Sequence, residues 1–124
     1  MAHRLSPKSG RSYLTPSEVV RRLREEFAIV DTDRDAGADH VGDMIAQFLR
    51  MRAPDEIVEA HRKAQPEAVW VTVADEPSGE RALSFVAMPG EGLFIGYHSG
   101  EQERATEGLL RRSAAALGYE IELV

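Results

Sequence analysis

The chain has 124 residues, 43% hydrophobic and 29% charged, with a formal net charge of -6 and no cysteine. That length and balance suit one domain able to bury about two-thirds of its unfolded surface, and they exclude collagen-like, repeat-array and wholly disordered chains. Without cysteine there are no disulfides, thiolate metal sites or thiol nucleophiles.

No apolar run exceeds four residues, as at Phe27 to Val30. Neither a spanning helix nor a signal-peptide core is therefore expected, and the chain reads as soluble and cytoplasmic with no membrane partner. Met1 to Tyr13 carries Arg4, Lys8 and Arg11 and no acid, which leaves 12 basic against 21 acidic residues beyond it. Residues 1–13 read as a mobile basic tail, because little in them is apolar enough to bury, and residues 14–124 as a single domain. A body this acidic repels polyanions, so no nucleic-acid partner is expected. Arg outnumbers Lys by 13 to 2, a usage associated with GC-rich bacterial genomes.

Leu14-Thr15-Pro16-Ser17-Glu18-Val19 opens the first helix. Thr15 can cap the Glu18 amide, Glu18 can reach back, and Pro16 suits the first helical position. Its apolar stripe is narrow, made of Val19, Val20, Leu23 and Phe27. Arg21, Arg22 and Arg24 sit among Glu18, Glu25 and Glu26 at i,i+4 spacings and read as a salt-bridged, solvated face. Phe27 to Val30 reads as a short strand ended by an acidic loop.

Val41, Met44, Ile45, Phe48 and Leu49 follow the helical template and predict a second helix over about 39–51. Pro54-Asp55-Glu56 opens a third, which carries Ile57, Val58 and His61 inward until Pro66. Alternation over 69–73, then strands over 82–88 and 93–98, predict an antiparallel three-stranded meander. Ser99 to Gln102 caps a fourth helix that ends on Gly118, and Tyr119, Ile121 and Leu123 form a last strand. The fold class expected is α+β, a five-stranded mixed sheet containing the meander, with four helices.

Both meander turns read as even in length, which places Trp70, Phe85, Phe94, Gly96 and His98 on one sheet face. Aromatic walls, a Gly floor and an imidazole there make a candidate ligand pocket or subunit contact. Neither face of the meander is polar, so both need cover, by helices or by a second copy.

The other candidate is Phe27-Ala28-Ile29-Val30-Asp31-Thr32-Asp33-Arg34-Asp35, a strand that delivers three carboxylates at alternate positions, the oxygen ligands a hard cation takes. These nine residues resemble the first motif of haloacid-dehalogenase-type phosphotransferases. The resemblance implies a nucleophile at Asp31 and an acid at Asp33, although the later motifs of that family have no counterpart here. The plainer reading is an acidic loop in which Asp35 or Asp39 caps the next helix. Asp39, His40 and Asp43 form a further polar group on the first turn of that helix, where acids suit the dipole.

These features together predict a small, soluble, non-enzymatic interaction or regulatory module that self-associates as a homodimer. The alternative is a small-molecule-binding protein or a divalent-metal-dependent hydrolase using Asp31, Asp33 and Asp35. No cofactor is expected beyond a divalent cation at that cluster.

Overall fold

The computed structural model describes residues 2–76, 81–91, 93–96 and 100–123. In chain order these form β1 (Ala2–Pro7), α1 (Pro16–Glu26), β2 (Ile29–Asp33), α2 (Arg34–Arg50), α3 (Asp55–Ala64), β3 (Val69–Ala74), β4 (Ala82–Ala87), β5 (Leu93–Gly96), α4 (Gly100–Leu117) and β6 (Tyr119–Leu123). The α+β class, the four helices and the meander β3-β4-β5 are as expected. The expected five-stranded mixed sheet is corrected. The strand order is β2-β3-β4-β5-β1-β6, and each hydrogen-bonded neighbour pair is antiparallel.

The sixth strand comes from the segment expected to be a mobile tail. Ala2–Pro7 lies between β5 and β6, with Leu5 opposite Leu93 on one side and Ile121 on the other. Leu5 is 0% exposed. β1 needs only one apolar face, because Arg4 and Ser6 point to the opposite side of the sheet from Leu5. There Arg4 Nε donates to Glu122 Oε2 at 2.9 Å across the β1–β6 pair.

Local chemistry explains the helices. At α1, Thr15 Oγ1 accepts from the Glu18 amide at 3.2 Å and Glu18 reaches back to the Thr15 amide, with Pro16 at the first position. The stripe Val19, Val20, Leu23 and Phe27 is buried. The Tyr119 hydroxyl accepts from the Leu14 amide at 2.9 Å, which ties the approach to α1 onto β6. Burial pushes the Tyr119 phenol above its ordinary value, and that hydrogen bond partly offsets the shift. α4 ends as expected on Gly118, at φ 69°.

Helices cover the sheet unequally. α1 and α4 pack on the face that carries Val71, Val73, Leu83, Phe85, Leu93, Ile95 and Leu5. α2 and α3 pack on the other face over β3 and β4, where Val86 and Trp70 meet Val41, Ile45 and Val58. On that second face the β1–β6 half presents Arg4, Glu120 and Glu122, by the register of the pair, with Ser6 buried among them, and a polar half-face tolerates water.

Two contacts lock the layers. Arg112 of α4 donates from Nε to Glu26 Oε1 at 2.9 Å and from Nη2 to Asp75 Oδ1 at 3.2 Å, while its guanidinium lies 4.5 Å from the centre of the Phe27 ring. One side chain so joins α4, the end of α1 and the end of β3. On the other side α2 rests directly on the start of β3 at Gly37, where an added Cβ would stand 2.8 Å from both the Ala68 carbonyl oxygen and the Trp70 nitrogen.

Gly37→Ala is expected to lose about 1–3 kcal/mol in urea denaturation, since backbone has nowhere to move and the clash outweighs the helix-propensity gain of about 1 kcal/mol. An unchanged midpoint would contradict that contact. The Arg4 partner holds the Glu122 carboxyl below the ordinary glutamate range. A depressed carboxyl stabilises the fold above its unfolded pKa, and that contribution fades as pH falls through its folded value. Native Glu122 should therefore melt higher than Glu122→Gln at pH 7, with the gap closing below about pH 4 and shrinking in salt. A gap that widens in acid would refute it.

Candidate functional site

The register takes apart the pocket expected on one sheet face. Trp70 pairs with Val86, while Phe85 pairs with Val71. Both meander turns hold odd numbers of residues, with Ala74 opposite Ala82 and Val86 opposite Phe94. Trp70 and Phe85 consequently point to opposite faces, which corrects the shared face expected for them. Phe85 is 1% exposed in the α1–α4 core. Phe94 pairs with Val86, and Gly96 stands opposite Ala2, so that β1 is the backbone that approaches it. His98, with Tyr97 and Ser99, lies outside the described residues.

Trp70 is half-buried under α2, with its ring centre 5.3 Å from that of His40 at an interplanar angle of 55°. His40 therefore faces the sheet rather than joining Asp39 and Asp43 in a solvated polar group. The cover over Trp70 is a helix layer. His61 is buried, its Nδ1 lies 2.8 Å from the Ile57 carbonyl oxygen, and its ring packs on Phe48 at 4.8 Å. It is a packed, hydrogen-bonded core residue.

The acidic run is spread over three structural roles. β2 starts at Ile29, because buried Phe27 is the C-cap of α1, and the strand runs on to Asp33. Asp31 sits in the strand opposite Thr72. Asp33 caps α2, its Oδ1 accepting from the Ala36 amide at 2.9 Å, so the cap falls two residues before the earliest one expected. Asp35 belongs to the first turn of α2, where it suits the helix dipole. Among the described residues no three His, Asp or Glu side chains are grouped to hold a metal ion.

The α1 salt-bridge face forms in part. Arg21 Nη1 reaches Glu25 Oε1 at 3.4 Å, as expected. Arg22 instead donates to the Leu117 carbonyl oxygen at 3.3 Å, at the end of α4, and Glu26 is taken by Arg112.

The surface feature that the sequence did not announce is the corner where α2 turns into α3. Leu49 is 53%, Met51 69% and Ile57 41% exposed. The turn is built by the Ala53 amide bonding the Phe48 carbonyl at 2.9 Å and the Arg52 amide bonding that of Leu49 at 3.2 Å. Arg52 occupies the left-handed position, at φ 54°, where glycine is the usual residue. Between Leu49 and Ile57 the chain carries Arg50 and Arg52 on the α2 side of the turn and Asp55 and Glu56 at the start of α3, all four exposed and without an ion pair among the described residues. Helical periodicity marked Leu49 and Ile57 as core positions. What it could not show is that the short turn leaves them at the rim of the α2–α3 contact.

No described helix is long and apolar enough to cross a membrane. Compared with family profiles, curated proteins and solved structures, the chain matches none.

Millimolar magnesium or calcium is expected to leave the melting temperature unchanged, since Asp33 is engaged as a cap and Asp31 and Asp35 sit on different elements. A saturable rise that Asp31→Asn abolishes would restore the cation site.

Proposed function

We propose that the chain is a small non-enzymatic interaction module that self-associates through the α2–α3 corner as a symmetric dimer. The observation that carries this reading is the gathering of Leu49, Met51 and Ile57 at one exposed corner. Large apolar side chains clustered in the open mark an interaction surface more often than isolated ones do.

A second copy suits the charges around that corner. The corner carries the basic residues Arg50 and Arg52 at its α2 end and the acidic residues Asp55 and Glu56 at its α3 end, and a two-fold axis through the corner sets the basic end of one copy against the acidic end of the other. Flexible Met51 fills an imperfectly matched centre more readily than a branched side chain. The Trp70 face, first expected to supply the dimer contact, is occupied by α2 and α3 and is not needed for it.

Sedimentation or light scattering at micromolar concentration should give a mass of about 27 kDa, twice that of the 13.7 kDa chain. The Met51→Glu, Ile57→Glu double variant is expected to be monomeric with an unchanged circular-dichroism spectrum, because neither side chain belongs to the buried core of the single chain. A monomeric parent, or a dimer indifferent to the double variant, would refute the proposal.

A further inference from the structure

Beside α1, away from the α2–α3 corner, a groove of about 530 Å³ runs between that helix and the edge strand β2. Three arginines line it, Arg21 and Arg24 from successive turns of α1 and Arg34 from the start of α2, with Glu25 the one acidic residue among the lining side chains. Glu25 is already engaged by Arg21 at 3.4 Å. Arg24 and Arg34 make no ion pair or hydrogen bond among the described residues.

That leaves two uncompensated guanidinium groups facing one groove in a chain whose net charge is -6. Arg112 and Arg22, which line other concave surfaces, are by contrast engaged, Arg112 by Glu26 and Asp75 and Arg22 by the Leu117 carbonyl. Arg34 is also placed against its own helix. It occupies the first position of α2, where the dipole favours an anion and disfavours a cation. A bound anion relieves that opposition and pairs both guanidiniums at once.

The remaining lining indicates what kind of anion. Ser17 of α1 and Thr32 of β2 are exposed and bring hydroxyls to the groove. Thr32 shares its sheet face with Val71, across from the side taken by Asp31, so that the strand turns a hydroxyl and not a carboxylate toward α1. Two arginine forks with hydroxyl donors match the several oxygens of a phosphoryl group. Val20 and Val69 add an apolar wall, and the volume lies in the range of small-molecule sites, well above what a bare phosphate fills. A long polyanion is disfavoured by the acidic body, whereas a compact ligand meets mainly the local field.

We infer that the groove between α1 and β2 binds a small organic phosphate, with the phosphoryl group on Arg24 and Arg34 and the organic part against Val20 and Val69. Titration calorimetry at constant ionic strength with AMP, glucose 6-phosphate and inorganic phosphate tests it. At least one of the two organic phosphates is expected to bind saturably and more tightly than inorganic phosphate. Arg24→Gln and Arg34→Gln should each weaken that binding about tenfold, the scale of a charge-assisted hydrogen bond, and Arg62→Gln on α3 should leave it unchanged. Thermal melts of the three variants check that each is folded, and all three side chains are exposed. Failure of both organic phosphates to bind, binding no tighter than that of inorganic phosphate, or binding that survives both groove substitutions would overturn the assignment.

Discussion

The fold depends on the filling of one gap. β5 and β6 both run antiparallel to β1 and hence parallel to each other, and α4 carries the chain across from one to the other. The crossover spans the width of one intervening strand, so that β5 and β6 stand about 10 Å apart. Unfilled, that space would leave two facing rows of unpaired amides and carbonyls inside the sheet, each buried group costing about 1–3 kcal/mol. β1 satisfies both rows and drops Leu5 into the core beneath α1 and α4. The beginning of the chain and its last strand are thereby made one structural unit.

From that insertion follows the division of labour between the two sheet faces. The α1–α4 face is apolar over the central strands, and on the opposite face the helix-covered apolar cluster lies over β3 and β4. α2 and α3 are confined to that half, anchored where Gly37 lets helix backbone meet strand backbone. Two surfaces are left over at the margins of the helix layers. One is the α2–α3 corner, where three apolar side chains exceed what the layer can bury. The other is the α1–β2 groove, where a narrow helix stripe fails to reach the sheet edge. They lie on opposite faces, so self-association and anion binding do not compete for space.

Much of the local structure was legible because local chemistry decided it. The capping box at Thr15, the left-handed stop at Gly118 and the helical stripe of α2 each rest on residues a few positions apart. Longer-range features were harder. β1 offers one large apolar residue, Leu5, and alternation over six residues with a single hydrophobic anchor is indistinguishable from a polar tail until β5 and β6 are placed beside it. The sheet faces turned on whether two loops were even or odd, and a miscount of one residue exchanges every side chain between faces, as it did for Trp70 and Phe85. The acidic run announced a helix cap without saying which carboxylate supplied it, since β2 ran three residues past the expected end and left Asp33 at the junction. Along α1 the positions three and four away from Arg24 are Val20, Arg21, Phe27 and Ala28, so helical spacing offers it no acid, but only the fold shows that no other element supplies one.

Amide hydrogen exchange along β1 tests the central structural claim directly. If Ala2–Pro7 fills the gap between β5 and β6, the amides of this strand that bond to its neighbours should exchange only through large-scale unfolding, with protection matching that of β4. Exchange in β1 at the rate of an unstructured peptide, while β4 stays protected, would show that the sheet closes without it and would contradict the account.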